Sequence, residues 1–296
     1  MAHISFIMPA YKAAYLKEAI SSILAQTSAD WELIVVDDCS PDNLEKIVAE
    51  FNDPRIRYYR NETNLGGKDL VAQWNHSITF ATGDWIVLAG DDDMYGSRFA
   101  EEVIRLAAKY SDVNLIRSRV EQIGEKSEHL YDDGVAPEFE TKEEFFEDYL
   151  EAKTFTCIGN YAFKKKALLE AGGFFPLPSA FGTDTITPII LSANGVAGTK
   201  DMLFKFRQST IHLSSNPHKI HDKLEAVNKM FEWFESVDYI SRYGKRLHYK
   251  YMYDIFKLAV LHMPFKALIP AIKECHLCSF KEKAVMFARW IKRHIL

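Results

Sequence analysis

Cysteine is scarce: Cys39, Cys157, Cys275 and Cys278 are the four in 296 residues, too few and too scattered for a disulfide framework. The lone "CHLC" has no second pair to close a zinc site, so all four read as reduced thiols. Long hydrophobic runs are missing too. No apolar stretch reaches the roughly 18 residues that a membrane span needs, so the chain can lie on a bilayer but not cross it. The opening "MAHISFIMPAY" lacks a charged n-region, a long h-region and a cleavage site, so a cytoplasmic location is expected. Glycine-rich phosphate loops are absent as well. No G-x-G-x-x-G follows the first apolar run, where "MPAYKAAY" stands, and no G-x-x-x-x-G-K-[ST] occurs anywhere. A dinucleotide oxidoreductase and a P-loop kinase are thereby disfavoured. No internal repeat or low-complexity tract is present.

What remains is an ordinary globular composition, 48% hydrophobic and 26% charged, with a net charge of -5. The charge is uneven. From Ser241 to Leu296 many Lys and Arg face only Asp254, Glu274 and Glu282, so the preceding part is clearly acidic. The first hundred residues alternate between two periods. "ISFIMP" reads as a buried strand stopped by proline, and Tyr15 to Thr27 places Leu16, Ala19, Ile20, Ile23 and Leu24 on one helical face. "WELIVVDD", "RIRYYR" and "DWIVLAGDDD" read as further strands, with helices at "DNLEKIVAEF" and "GKDLVAQWNHSITFA" between them. Strands separated by helices argue for a parallel sheet with helices on both faces. From about Glu102 the alternation fades, although "VNLIRSRVEQI" looks like strand and "TKEEFFEDYLEA" like a helix opened by a Thr cap with a Glu three places on. "KDMLFKFRQSTIHLS" reads as a last strand. Beyond Asn216 the pieces His218 to Ser236, Ser241 to His262, Phe265 to Glu274 and Phe280 to Arg293 are all helical.

Asp37-Asp38 and Asp91-Asp92-Asp93 both fall at the carboxyl ends of expected strands. Asp caps helices well, which explains either cluster singly. In open parallel sheets, however, ligands bind beyond the carboxyl ends, so the two clusters should share one crevice. Their mutual repulsion then calls for something positive, and hard carboxylate oxygens suit Mg²⁺ or Mn²⁺ with a substrate's phosphates completing the shell.

In order and spacing, "SFIMPAYKAAYLKEAISSILAQT", "ELIVVDDCSPDN", "NLGG", "WNHSITFATGDWIVLAGDDD" and "ALLEAGGF" followed by "GTD" resemble the inverting family 2 glycosyltransferases of the GT-A fold, across roughly Ile4 to Ser215. The resemblance implies an α/β fold: a mostly parallel, Rossmann-like central sheet flanked by helices, with a C-terminal helical extension. It implies a nucleotide-binding part at 1–110, an acceptor-binding part at 111–216 and a helical region at 217–296. The implied reaction moves a sugar from a nucleotide donor, usually a UDP-sugar, to a saccharide or lipid-linked acceptor hydroxyl in cell-surface polysaccharide synthesis. Mn²⁺ or Mg²⁺ would sit on the diphosphate, and no nucleic acid is involved. Carried over by position, Pro9, Ala10 and Tyr11 line the base and ribose pocket, Asp38 accepts from the uracil ring, and Asn64, Gly66 and Lys68 flank the nucleotide. Asp91 contacts ribose or sugar, Asp92 is the first metal ligand with Asp93 beside it, and His212 is an extra metal ligand. Asp184 is the catalytic base. Two departures stand out: Thr183 where many relatives carry Glu, and Gln73 where many carry Arg, whose phosphate or base contact would then pass to Lys68 or Arg207. A non-catalytic nucleotide-binding or partner module and a sugar nucleotidyltransferase are the alternative readings.

The C-terminal helices lie outside the resemblance. In the last one, Ala284, Phe287, Ala288, Ile291 and Ile295 recur at helical spacing while Arg289, Lys292 and Arg293 face elsewhere. This fits an interfacial helix on anionic lipid, and equally a docked helix with a solvated basic face.

Overall fold

The computed structural model describes residues 3–209, 220–274 and 278–295. In chain order the elements are β1 (Ile4–Ala10), α1 (Leu16–Leu24), β2 (Trp31–Asp37), α2 (Leu44–Val48), β3 (Ile56–Arg60), α3 (Leu70–Ser77), β4 (Trp85–Leu88), β5 (Met94–Tyr95), α4 (Phe99–Lys109), β6 (Leu115–Ile123), β7 (His129–Asp132), β8 (Phe139–Glu140), α5 (Lys142–Glu151), β9 (Tyr161–Lys164), α6 (Lys165–Glu170), α7 (Thr183–Leu191) and β10 (Val196–Arg207). Four helices follow: α8 (Ile220–Ser236), α9 (Tyr239–His262), α10 (Phe265–Glu274) and α11 (Phe280–His294).

The chain divides into two units. Among the described residues the first comprises 3–176 and 183–209, and the second 177–182 with everything from 220 onward. The first unit is built on one sheet in the order β3-β2-β1-β4-β9-β6-β10-β5, with β7 on β6 and β8 on β10. Strands β3, β2, β1 and β4 run parallel, and β9 enters antiparallel between β4 and β6. β1 and β2 are apolar almost throughout and buried, as strands covered on both faces must be. α1 turns Leu16, Ala19, Ile20 and Ile23 inward. At the centre Phe6, Tyr95, Phe99 and Phe204 pack edge-on or tilted, with ring centroids 4.7 to 5.9 Å apart.

Some expectations shift. Pro9 does not stop β1, which continues to Ala10. β4 pairs only as far as Ile7, so on that side no ladder bond asks for the N–H that proline lacks. The helix at Thr141 has the expected capping box with Glu144. Helix α4 and the short strands β5, β7 and β8 were not legible in the sequence. In the second unit the four expected helices are present; the expected start at His218 lies outside the described residues, and the other ends fall within two residues of expectation.

Candidate active site

Because β1 lies between β2 and β4, its carboxyl end is flanked by the residues that leave both neighbours. The N–H of Asp38 donates to the Ala10 carbonyl at 2.9 Å. On the other side one oxygen of Asp91, Oδ2, accepts from the N–H groups of Tyr11 and Lys12, each at 2.8 Å. Ser40 Oγ donates to the Tyr11 carbonyl at 2.6 Å. The two acidic clusters therefore open onto a single edge of the sheet.

Asp37 and Asp38 do different work there. Asp37 is fully buried and accepts from Tyr58 Oη at 2.6 Å, from the Ser40 N–H at 2.7 Å and from the Arg60 guanidinium, so it ties β2 to β3. Burial, with Asp37 as its acceptor, pushes the Tyr58 hydroxyl up to about 12. Asp38 reaches the next loop instead. Its Oδ1 accepts from Asn61 Nδ2 at 2.8 Å and the Leu65 N–H at 2.9 Å, and its Oδ2 from the Gly66 N–H at 2.7 Å. A Cβ on Gly66 would stand 3.0 Å from Asp38 Oδ2, so the close approach uses the missing side chain. Asn64 accepts from the Gly67 N–H, and Lys68 is exposed at the end of this turn. Gln73 is buried behind Asn61, with Oε1 accepting from Asn61 Nδ2 at 2.8 Å and Nε2 without a partner among the described residues.

Asp91, Asp92 and Asp93 are each buried, 8% exposed. Burial, and then the charge of Asp92, raises the carboxyls of Asp91 and Asp93, the latter well above the carboxylate range. Asp93 Oδ1 accepts from the Arg207 N–H at 2.9 Å. Asp92 faces the Lys12 ammonium at 3.6 Å. Lys12 was not picked out from the sequence; its place two residues beyond the end of β1, next to Tyr11, was the available signal.

Arg207 corrects an expectation. It is fully buried, and all three guanidinium nitrogens are engaged within the protein, so it cannot take up a phosphate. Nε donates to the Asp92 carbonyl at 2.7 Å, Nη2 to Glu18 at 2.9 Å, and Nη1 to Ser127 Oγ at 3.0 Å and the carbonyls of Gly124 and Glu125. It staples the aspartate loop to α1 and to the turn between β6 and β7. Lys68 stays exposed. His212 lies outside the described residues.

Asp184 stands in the first turn of α7 and lines a narrow hollow with Phe145, Tyr149, Thr154, Thr156, Tyr161, Thr185 and Ile189. Burial in this hollow pushes its carboxyl up to about 7. Asp93 and Asp184 both lie within electrostatic range of Cys157, whose thiol is raised chiefly by burial and further by each of them. Thr183 is buried and donates to the Phe175 carbonyl at 3.0 Å.

Among the described residues no three His, Cys, Asp or Glu side chains converge as a ready cation cage. One oxygen of Asp91 and one of Asp93 are already committed to backbone N–H groups. Asp92, with one ion pair, is the carboxylate available. That donor set fits a Mg²⁺ or Mn²⁺ ion that arrives with phosphate oxygens and keeps water, rather than one held by protein alone.

Comparison with known proteins agrees with this architecture. The family model described as Glycosyl transferase family 2 matches residues 5–172. An Escherichia coli protein, UDP-Glc:alpha-D-GlcNAc-diphosphoundecaprenol beta-1,3-glucosyltransferase WfgD, is 37% identical over 107 residues, 36% of this chain and 41% of its own length. The chain thus matches about two-fifths of that relative. Among solved structures, S. aureus TarS 1-349 in complex with UDP-GlcNAc superimposes with a TM-score of 0.60 at 17% identity, covering 98% of this chain and 91% of that 1-349 chain. Mannosyltransferase PcManGT from Pyrobaculum calidifontis, in complex with GDP-Man and Mn2+, gives 0.58 at 16% identity, covering 100% and 81%. With the family model spanning more than half its length, the chain belongs to glycosyl transferase family 2, a family of enzymes, and carries the GT-A fold.

Proposed function

We propose that the protein is an inverting transferase that moves a sugar from a nucleotide donor, a UDP-sugar, to a hydroxyl of a saccharide or lipid-linked acceptor in cell-surface polysaccharide synthesis. The observation that carries this reading is the convergence of Asp38 and Asp91 to Asp93 on the carboxyl end of β1. The WfgD relative, whose name gives a UDP-sugar donor and a diphosphoundecaprenol-linked acceptor, supports the substrate classes.

In this reading Pro9, Ala10 and Tyr11 flank the base and ribose, and Asp38, three of whose acceptor positions hold the 61–66 loop, offers its remaining lone pair to the uracil N–H. The turn from Asn64 to Lys68 borders the nucleotide, and Asp91 meets ribose or sugar. Asp92, with Asp93 beside it, would hold Mn²⁺ or Mg²⁺, which when bound supplies positive charge against the leaving diphosphate. Asp184 takes the proton of the acceptor hydroxyl as that oxygen attacks the anomeric carbon from the face opposite the diphosphate, which inverts the centre. A base poised at about 7 is partly ionised at neutral pH and still strong enough to accept that proton.

A lipid-linked acceptor brings a membrane surface with it. No described helix is long and apolar enough to cross one. In α11 the residues turned inward within the second unit are Met286 and Trp290, the latter donating to the Met263 carbonyl at 3.1 Å. The stripe of Ala284, Phe287, Ala288 and Ile295 is left exposed or half-buried beside Arg289, Lys292 and Arg293, and Phe280 is 87% exposed. This arrangement supports a peripheral contact with anionic lipid.

The test is UDP release from a panel of UDP-sugars with a saccharide acceptor, run with Mn²⁺ and with EDTA. Release that needs Mn²⁺ and is lost in Asp184→Asn is expected. Nucleotide binding without any transfer, in wild type as in the variant, would leave a non-catalytic module instead.

A further inference from the structure

The three strand-tip carboxylates are not held alike. Asp91 is held by two backbone N–H groups and Asp93 by one, whereas the Asp92 side chain meets a side-chain cation, the Lys12 ammonium at 3.6 Å. Lys12 is anchored only at its backbone: its N–H donates to Asp91 at 2.8 Å while its side chain retains 22% of its exposure. Its four-carbon stem can therefore swing about a fixed Cα.

We propose that Lys12 is an exchanging counter-ion: it neutralises Asp92 while the site is empty of nucleotide, and moves to the donor's diphosphate when a divalent cation takes its place on Asp92. This rests on the nucleotide-diphosphate reading above. A dication on Asp92 repels the ammonium at that distance, and the arriving diphosphate offers it a stronger negative partner close by. Arg207, the other cation beside the cluster, is fixed, because it is fully buried and each of its guanidinium nitrogens donates to an acceptor within the protein. The Lys12 ion pair also offsets part of the repulsion among the three neighbouring carboxylates in the empty state.

Isothermal titration of the full chain with Mn²⁺ alone, UDP alone in EDTA, and UDP at saturating Mn²⁺ separates the two halves of the exchange. Lys12→Met keeps the N–H bond to Asp91 and removes the ammonium only. It should bind Mn²⁺ alone roughly two- to fivefold more tightly, the range of a partly exposed ion pair. It should bind UDP with Mn²⁺ about tenfold or more weakly, as loss of a charged contact to phosphate implies. Lys12→Arg should restore both affinities toward wild type, and thermal melts should show all three proteins folded. Tighter Mn²⁺ with unchanged UDP would overturn the proposal by making Lys12 a plain counter-ion, and weaker UDP with unchanged Mn²⁺ would overturn it by removing the competition at Asp92. Wild type that binds no UDP in any condition would instead fell the nucleotide reading on which it rests.

Discussion

Asp184 is where a single residue can be questioned most directly. Burial raises its carboxyl from 3.8 to about 7, so the folded protein holds that proton more tightly than the unfolded chain does. The stability it contributes is full below 3.8 and is lost as the pH rises through about 7. Asp184→Asn should therefore melt higher than wild type at about pH 8 and at the same temperature near pH 4, while losing about 10² to 10⁴ in turnover. In wild type kcat/KM should climb through about pH 7 as the base ionises. Arg207 makes the opposite prediction. Its removal orphans the buried Asp92 carbonyl, so Arg207→Leu should cost about 1 to 3 kcal/mol in urea melts. The carboxylates were legible in the sequence because both clusters end apolar runs that read as strands, which places them at the same edge of a parallel sheet. Arg207 read as a phosphate contact because one-dimensional spacing cannot say whether a basic residue ending a strand faces inward. The same limit hid Lys12.

Elements explain why two separated motifs travel together. Asn75, in α3, accepts from the Phe174 N–H at 2.8 Å and donates to the Phe174 carbonyl at 3.1 Å, clamping the double-glycine turn that follows α6. Gly172 and Gly173 both take positive φ, 88° and 91°. A Cβ at Gly172 meets nothing within 4 Å, whereas one at Gly173 would lie 2.4 Å from Asn75 Oδ1. Gly172→Ala should then cost about 1 to 2 kcal/mol of backbone strain, and Gly173→Ala about 1 to 3 kcal/mol more, measured by chemical denaturation. Periodicity gave the parallel strands and their helices since each buries a long apolar face. The direction of the antiparallel β9 and its place between β4 and β6 are set by non-local pairing that no window of sequence contains. α4 was missed though amphipathic: Glu102 interrupts its apolar face, buried under Arg98 and Arg105.

For the molecule as a whole, the open question is what the second unit meets. If the exposed stripe of α11 and Phe280 rest on lipid, full-length protein should float with vesicles rich in anionic lipid. Phe280→Ser combined with Lys292→Glu and Arg293→Glu should abolish flotation without changing UDP affinity, and raised salt should weaken it in wild type. Equal flotation of variant and wild type would leave this face to water. The overall plan was readable because four helical segments after a run of alternating strands can hardly be mistaken. Where one unit ends and the next begins was not, since residues 177–182 leave the first unit and return to it within six positions.

The staple made by Arg207 has one more consequence, for the order in which the molecule comes together. It joins Glu18, Asp92, Asp93 and the 124–127 turn, although Arg207 itself is supplied 114 residues after Asp93. A nascent chain that has emerged only through the glycine pair already carries every acidic group of the strand tips, yet lacks the clasp that sets two of them. Such a fragment should therefore be inert until β10 docks along β6, and assembly of the centre waits on nearly the last strand to be made.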